Sequence, residues 1–166
     1  TGVITTALKQ DKAQQQHVDA AIASMSRLNR DAARAARKFK PRGGTDITGY
    51  GLIGHSLEMA TQAGVMFAFY YNAVPFLPGA LEYAEQWIFP GGASTNKAAA
   101  EAQVKFDRKV KDWQQMLLYD PETSGGLLIP IPAMHADELV AELHKRGEPA
   151  WIVGEVRQGS GIAVVK

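Results

Sequence analysis

Two short stretches of this chain carry the residue types from which a site could be built. The first is Thr45-Asp46-Ile47-Thr48-Gly49-Tyr50-Gly51-Leu52-Ile53-Gly54-His55, where a carboxylate, two threonine hydroxyls and a histidine stand among three glycines. The second is Asp120-Pro121-Glu122-Thr123-Ser124-Gly125-Gly126. Glycines at this density let backbone N–H groups approach a ligand or another backbone closely. A helix opening directly behind the first stretch would aim its positive end at whatever binds there. Asp46 is the most interesting ionisable group. A carboxylate beside a glycine turn can hold Mg²⁺ that bridges phosphates, since Mg²⁺ needs few protein ligands. The same residue in the same place can also be an Asx-turn or a cap. Thr123-Ser124-Gly125-Gly126 is likewise open to two readings: a backbone nest for an anion, or a turn that starts a strand.

Other chemistries fit less well. Gly49-x-Gly51-x-x-Gly54 has dinucleotide-fingerprint spacing, but that fingerprint needs a strand before it. The preceding Pro41-Arg42-Gly43-Gly44-Thr45 makes a poor strand. It also needs an acid roughly 20 residues on to bind ribose, and Tyr70-Tyr71-Asn72 supplies none. The glycines then serve tight packing of a turn against a helix. His17, His55, His135 and His144 have no zinc-site spacing. Gly54-His55-Ser56-Leu57-Glu58 lacks the last glycine of a nucleophile elbow. No acid pair stands out for general acid–base work, and no catalytic residue is assigned.

The elements that must position these stretches follow from composition and periodicity. The chain has 166 residues, 46% of them hydrophobic, which fits one domain with its own core. Its 18 basic and 17 acidic residues leave a net charge of +1, so no global field draws nucleic acid or an anionic membrane. The absence of cysteine excludes disulfides, thiolate metal sites and cysteine nucleophiles. No apolar run reaches the ~20 residues of a membrane span. The start at Thr1 rather than Met suggests a piece of a longer protein, or a processed N-terminus.

The β-branched residues 1–7 predict a strand end or extended linker. Val18, Ile22, Met25, Leu28, Ala32 and Ala36 recur at steps of three and four, predicting one long helix over 14–38. Arg27, Arg30, Arg34 and Arg37 lie elsewhere on it, as a solvated face or as a contact for phosphate or a partner. Lys40-Pro41-Arg42-Gly43-Gly44 stops that helix. A helix is predicted over 52–62, with Gly64 just past its end. Val65–Tyr71 is continuously apolar and predicts a buried strand. A short helix over 80–86 and a polar helical stretch over 97–118 follow. Residues 127–131 predict a strand, 134–145 a helix, and 149–156 and 162–165 two strands joined by a hairpin turn at Gly159-Ser160-Gly161. Helices interleaved with a few strands predict an α+β fold with a mixed β-sheet covered by helices.

Taken together, the motifs resemble one family. Residues 45–59 resemble the T-D-[VI]-T-G-[FY]-G-L-x-G-H-x-x-E-M segment of selenophosphate synthetases (selenide, water dikinases), with Tyr50 where phenylalanine is more usual. Residues 120–128 resemble their D-P-[QE]-T-S-G-G-L-L segment. Met25–Ala33, Gly2–Ala7 and Pro90-Gly91-Gly92 with Asn96 resemble further family patterns, in order along nearly the whole chain. The resemblance is to the C-terminal domain of the aminoimidazole ribonucleotide synthetase-like superfamily. It implies that residues 1–166 are a single domain, the C-terminal fragment of a two-domain cytoplasmic enzyme, homodimeric when complete. The parent would use ATP, selenide and water to make selenophosphate, AMP and phosphate. The missing N-terminal domain would carry the reactive cysteine or selenocysteine, the essential lysine and most ATP contacts. The resemblance further implies that Asp46 helps hold Mg²⁺ at the ATP phosphates across the domain interface, with Thr48, Thr123 and Ser124 as candidate phosphate or nucleotide contacts. The fragment alone would be inactive. Two alternatives stay open: another ATP-using member of the superfamily, or a binding or dimerisation module without its own chemistry.

Overall fold

The computed structural model describes residues 1–166. Eight helices and six strands follow in order: α1 Gly2–Lys9, α2 Gln15–Ser26, α3 Arg30–Ala36, β1 Thr45–Asp46, α4 Gly51–Ala63, β2 Met66–Tyr70, α5 Ala80–Glu85, α6 Gly91–Ala100, β3 Val104–Phe106, α7 Asp112–Leu117, β4 Leu127–Leu128, α8 Ala136–Lys145, β5 Gly154–Arg157 and β6 Gly161–Val165. The main sheet has strand order β3-β6-β2-β5; β2 and β3 run parallel to β6, and β5 runs antiparallel to β2. β1 and β4 form a separate two-stranded antiparallel ladder. The α+β class with a mixed sheet is therefore what the chain adopts.

The core lies between the sheet and α4. Phe67 and Phe69 of β2 and Ile162 and Val164 of β6 point the same way, as alternate strand residues must. They meet Ile53, Leu57 and Ala60 of α4. Burying each of the large side chains contributes about 1.5–3 kcal/mol. Gly64 ends α4 in the left-handed conformation, as its place in the sequence suggests. A second cluster joins α1, α2, α5 and α7 through Val3, Ile4, Ala21, Tyr83, Ile88 and Leu117. A third packs Ala35 and Ala36 of α3 on Leu139 and Leu143 of α8.

Several sequence expectations are overturned by tertiary contacts. Residues 2–9 are helical, because Val3, Ile4 and Ala7 fall on one helix face and bury there, outweighing β-branched propensity. The predicted helix over 14–38 is two helices, broken where Arg27 is extended. Its predicted stripe is buried only in part: Met25, Ala32 and Ala36 pack inward, Ile22 and Leu28 are exposed, and His17 and Ala21 are buried instead. The Tyr83 hydroxyl turns α2 this way by accepting the Gln14 N–H at 2.9 Å and meeting His17 Nδ1 at 2.7 Å. Gly79 leaves the room; a Cβ there would collide with the His17 ring.

The stretch 97–118 is not one helix. α6 begins earlier, after Pro90, and Val104–Phe106 is a strand because it pairs with Ile162–Val164. The strand expected over 149–156 is confined to Gly154–Arg157, and the one over 127–131 to Leu127–Leu128. The last two strands are not a hairpin pair, since β2 lies between them.

Candidate functional site

The two motif stretches are stitched together by their backbones. Thr45 pairs with Leu128 and Asp46 with Leu127. Beyond the ladder, Ile47 N–H donates to Gly126 O at 3.0 Å and Gly125 N–H donates to Ile47 O at 2.8 Å. The Thr48 carbonyl accepts from both Gly51 N–H and Glu122 N–H, each at 3.0 Å. Ile53 N–H donates to Leu118 O, and the Asn96 amide donates to Gly49 O at 2.9 Å and Tyr119 O at 3.0 Å. Two segments more than seventy residues apart thus form one rigid unit.

Gly51 and Gly125 explain why glycine is needed here. Gly51 has φ +68°, and a Cβ on it would lie 2.8 Å from Asp120 O. A Cβ on Gly125 would lie 2.9 Å from Ile47 O. These contacts are backbone on backbone, so no side chain can yield. Gly49 has open space around it. The glycine spacing therefore serves packing of turn against turn, as the failed dinucleotide context implied.

The anion-binding potential of both turns is largely spent internally. At the start of α4, the N–H groups of Gly51, Ile53 and Gly54 donate to carbonyls of Thr48, Leu118 and Tyr50. In the second turn, Glu122 and Gly125 donate to the first turn, and Thr123 N–H donates to Thr1 Oγ1 at 2.9 Å. What the site presents outward is side chains.

Asp46 is exposed at the end of β1, and its carboxylate takes part in none of the hydrogen bonds or ion pairs of the chain. Thr48 is half-buried, and its hydroxyl meets His55 Nε2 at 3.0 Å. His55 in turn lies against the Tyr50 ring, with centroids 5.5 Å apart. Thr123 is exposed and Ser124 half-buried with φ +57°. A groove of about 430 Å³ opens beside Tyr50, between α4 and α6, with Leu57, Glu58 and Asn96 among its lining residues.

The donor chemistry of Asp46 fits Mg²⁺. An exposed carboxylate on a two-strand ladder is a hard oxygen ligand held by a rigid backbone, which suits Mg²⁺. No group of three or more His, Cys, Asp or Glu side chains is arranged around a common point. A Mg²⁺ held at Asp46 would find one ligand there and would need the rest of its octahedral shell from phosphate, water or another polypeptide.

Asp120 was not singled out by sequence reasoning, yet it is the one fully buried carboxyl in the molecule. It is 2% exposed and accepts the Val3 N–H at 3.0 Å and the Thr1 nitrogen at 3.4 Å. Burial pushes its pKa up to about 6. Its Oδ1 has no partner and faces Gly2, where a Cβ would come within 2.5 Å. Asp120 ties the first residues of α1 to the second turn. The signal available in sequence was only an Asp-Pro pair opening that turn.

Comparison with known proteins supplies the family. Residues 2–166 match the model described as AIR synthase related protein, C-terminal domain. The chain is 41% identical over 157 residues to a selenide, water dikinase of Pelobacter propionicus, covering 94% of this chain and 45% of that protein. It is 38% identical over 168 residues to that of Myxococcus xanthus, covering 99% and 48%. It is 39% identical over 156 residues to that of Clostridioides difficile, covering 93% and 45%. The chain spans about half the length of the curated relatives it matches. In structure it resembles E. coli HypE, a hydrogenase maturation protein, with TM-score 0.56 at 17% identity, covering 81% of this chain and 34% of that one. It also resembles AaThiL, solved with AMPPCP and TMP, with TM-score 0.51 at 17% identity, covering 81% and 33%. These two likenesses speak for the fold alone. The match across nearly every residue, on the fold described above, places this chain in the family of AIR synthase related proteins, as its C-terminal domain, similar in sequence to that part of the selenide, water dikinases.

Proposed function

We propose that residues 1–166 form a single domain, the C-terminal part of a two-domain selenophosphate synthetase. The parent converts ATP, selenide and water into selenophosphate, AMP and phosphate. It acts in the cytoplasm as a homodimer, and the N-terminal domain supplies the nucleophile-bearing residue and most ATP contacts. The observation that carries this reading is the exposed Asp46 carboxylate, held without any protein partner at the seam of the two motif turns.

In this reading Asp46 would help hold Mg²⁺ across the domain interface, and the bound ion would supply electrostatic stabilisation for phosphoryl transfer. The chain's own part is positional. The β1–β4 ladder sets where the carboxylate sits, and the Gly51 and Gly125 contacts keep that seam from shifting. Thr48, Thr123 and Ser124 present hydroxyls near the same seam as phosphate or nucleotide contacts; the Thr48 hydroxyl is oriented by His55.

The test is an assay of selenide-dependent AMP formation from ATP. Asp46→Asn in the full-length parent should lower Mg²⁺-dependent turnover by about a hundredfold, equivalent to roughly 2.7 kcal/mol of transition-state stabilisation. The 166-residue chain by itself should show no turnover. Normal turnover in the Asn variant would leave Asp46 a turn residue only, and turnover by the isolated chain would refute the two-domain reading.

A further inference from the structure

The arginine row singled out in the sequence takes no part in the site above. Its charge is concentrated to a degree the balanced total conceals. Seven of the 18 basic residues and only one of the 17 acidic ones fall between 27 and 42, giving that segment +6 and the remainder −5. The field of a protein follows the distribution of its charges as well as their sum.

The structure adds a cleft to this charge. It has a volume of about 530 Å³ and lies where the turn after α3 meets α8, lined by Lys38, Lys40 and Lys145 with Phe39 and His135 between them. Of the two acids in its wall, Glu142 is already engaged and Glu138 is exposed to solvent. Glu142 accepts from Lys38 at 2.8 Å and from Arg146 Nε at 3.0 Å, and Glu138 lies 3.6 Å from His135 Nδ1. Lys40 and Lys145 are exposed and have no acidic partner, and the same holds for Arg37 and Arg42 just outside. The rings of Phe39 and His135 lie 6.0 Å apart, tilted by 58°, both half-buried. Each ring offers a π-face, with cations around the pair.

Each part selects against simpler ligands. A site for one compact phosphate would bury its cations, and these are in solvent. A site for an apolar segment would not surround its aromatic rings with lysine. Spread, exposed cations around aromatic faces suit a flexible chain of phosphates whose bases have π-faces to stack. We propose that this cleft binds a single strand of nucleic acid, with a base against the Phe39–His135 pair and phosphates on Lys40 and Lys145, the two lysines of the cleft without an acidic partner. The proposal does not depend on the reaction assigned above.

The experiment measures fluorescence anisotropy of a labelled single-stranded oligouridylate titrated with the chain. Saturable binding is expected with Kd of about 10 µM at low salt, and a plot of log K against log salt with slope about −1.4 for two phosphate contacts. Lys40→Glu with Lys145→Glu should weaken binding at least tenfold. His135→Ala should cost about fivefold while leaving the salt slope unchanged, because stacking releases no counterions. Lys105→Glu with Lys109→Glu, on the far edge of the sheet, should bind as the parent does. Circular dichroism confirms that each variant is folded. No saturable binding at low salt overturns the proposal, as does an equal loss in the Lys105/Lys109 variant. Free ATP competing as well as the oligomer at equal phosphate concentration would also overturn it, in favour of a mononucleotide.

Discussion

The seam of the two motif turns and the basic cleft beside α8 are both polar surface features, built in opposite ways. The seam is backbone against backbone. Carbonyl and N–H groups of residues 45–54 and 118–128 are paired with each other, glycines remove every Cβ that would separate them, and one free carboxylate stands at the edge. The cleft is side chain against solvent. Long flexible cations flank one aromatic pair, and its ion pairs are exposed. The first arrangement fixes one group to within a small distance, as a metal ligand requires. The second tolerates many ligand geometries and is screened by salt. Substitution should therefore hurt the seam sharply and the cleft gradually.

The strongest way to break the contrast is at Gly51. Alanine there would need the left-handed conformation and would press its Cβ on the Asp120 carbonyl, 2.8 Å away. We expect Gly51→Ala to cost about 3 kcal/mol in urea unfolding. A loss below 1 kcal/mol would mean the turns can separate, contrary to the rigid seam described here.

Asp120 is next. Its folded pKa, about 6, lies above the ordinary value of 3.8 because burial disfavours the charged form. A group whose folded pKa is raised contributes stability that is fully present below the unfolded pKa and lost as pH rises through the folded one. Between about pH 4 and pH 6 this carboxyl alone should remove roughly 2–3 kcal/mol of stability. Chemical denaturation of the parent and of Asp120→Asn across that window isolates the contribution. The Asn variant should lack this fall, and parallel pH profiles would contradict the assignment.

A smaller effect sharpens the picture of the seam from its buried side. The Tyr119 hydroxyl is buried without a partner, and burial lifts its pKa to about 12. Removing an unsatisfied polar atom leaves the ring packing intact, so Tyr119→Phe should hold stability or raise it by about 1 kcal/mol. A clear loss, read as a lower thermal midpoint, would show that the hydroxyl has a partner.

The smallest effect belongs to the cleft. Hydrogen bonds from Lys38 and Arg146 hold the Glu142 carboxyl down at about pH 2. NMR titration should find that value in the parent and a return toward the ordinary carboxylate range in Lys38→Ala, with little change in melting temperature because the pair is exposed. This lowered group contributes above the usual pKa of 4.5 and is lost as pH falls toward 2. A large melting change would place the cleft with the seam as a rigid structure.

Much of the fold was readable wherever local pattern and tertiary packing agree. The helix over 52–62 with Gly64 behind it, the apolar strand over 65–71 and the helix over 134–145 correspond to α4, β2 and α8 within a few residues. Elements whose identity rests on a distant partner were not readable. Val104–Phe106 has the composition of its helical surroundings, and only the open edge of β6 makes it a strand. Residues 2–9 favour extended backbone by composition, and only the pocket lined by Tyr83, Ile88 and Leu117 makes them helical. At the candidate site, Asp46 draws attention in the sequence because its motif is dense with glycine and hydroxyl residues. Asp120 does not, because its character comes from burial beneath a segment 117 residues away.

The sequence by itself determined the inventory: an α+β composition, two glycine-rich turns, no cysteine, a carboxylate ahead of one turn and a cationic run before it. Those follow from residue types and spacing, which are local properties. Only the tertiary structure decided that the two turns are one seam, that Asp46 faces outward while Asp120 is sealed in, and that β2 separates the last two strands. Such outcomes depend on which distant backbone satisfies which N–H group and on which side chains lose their water, and neither is a property of any local stretch.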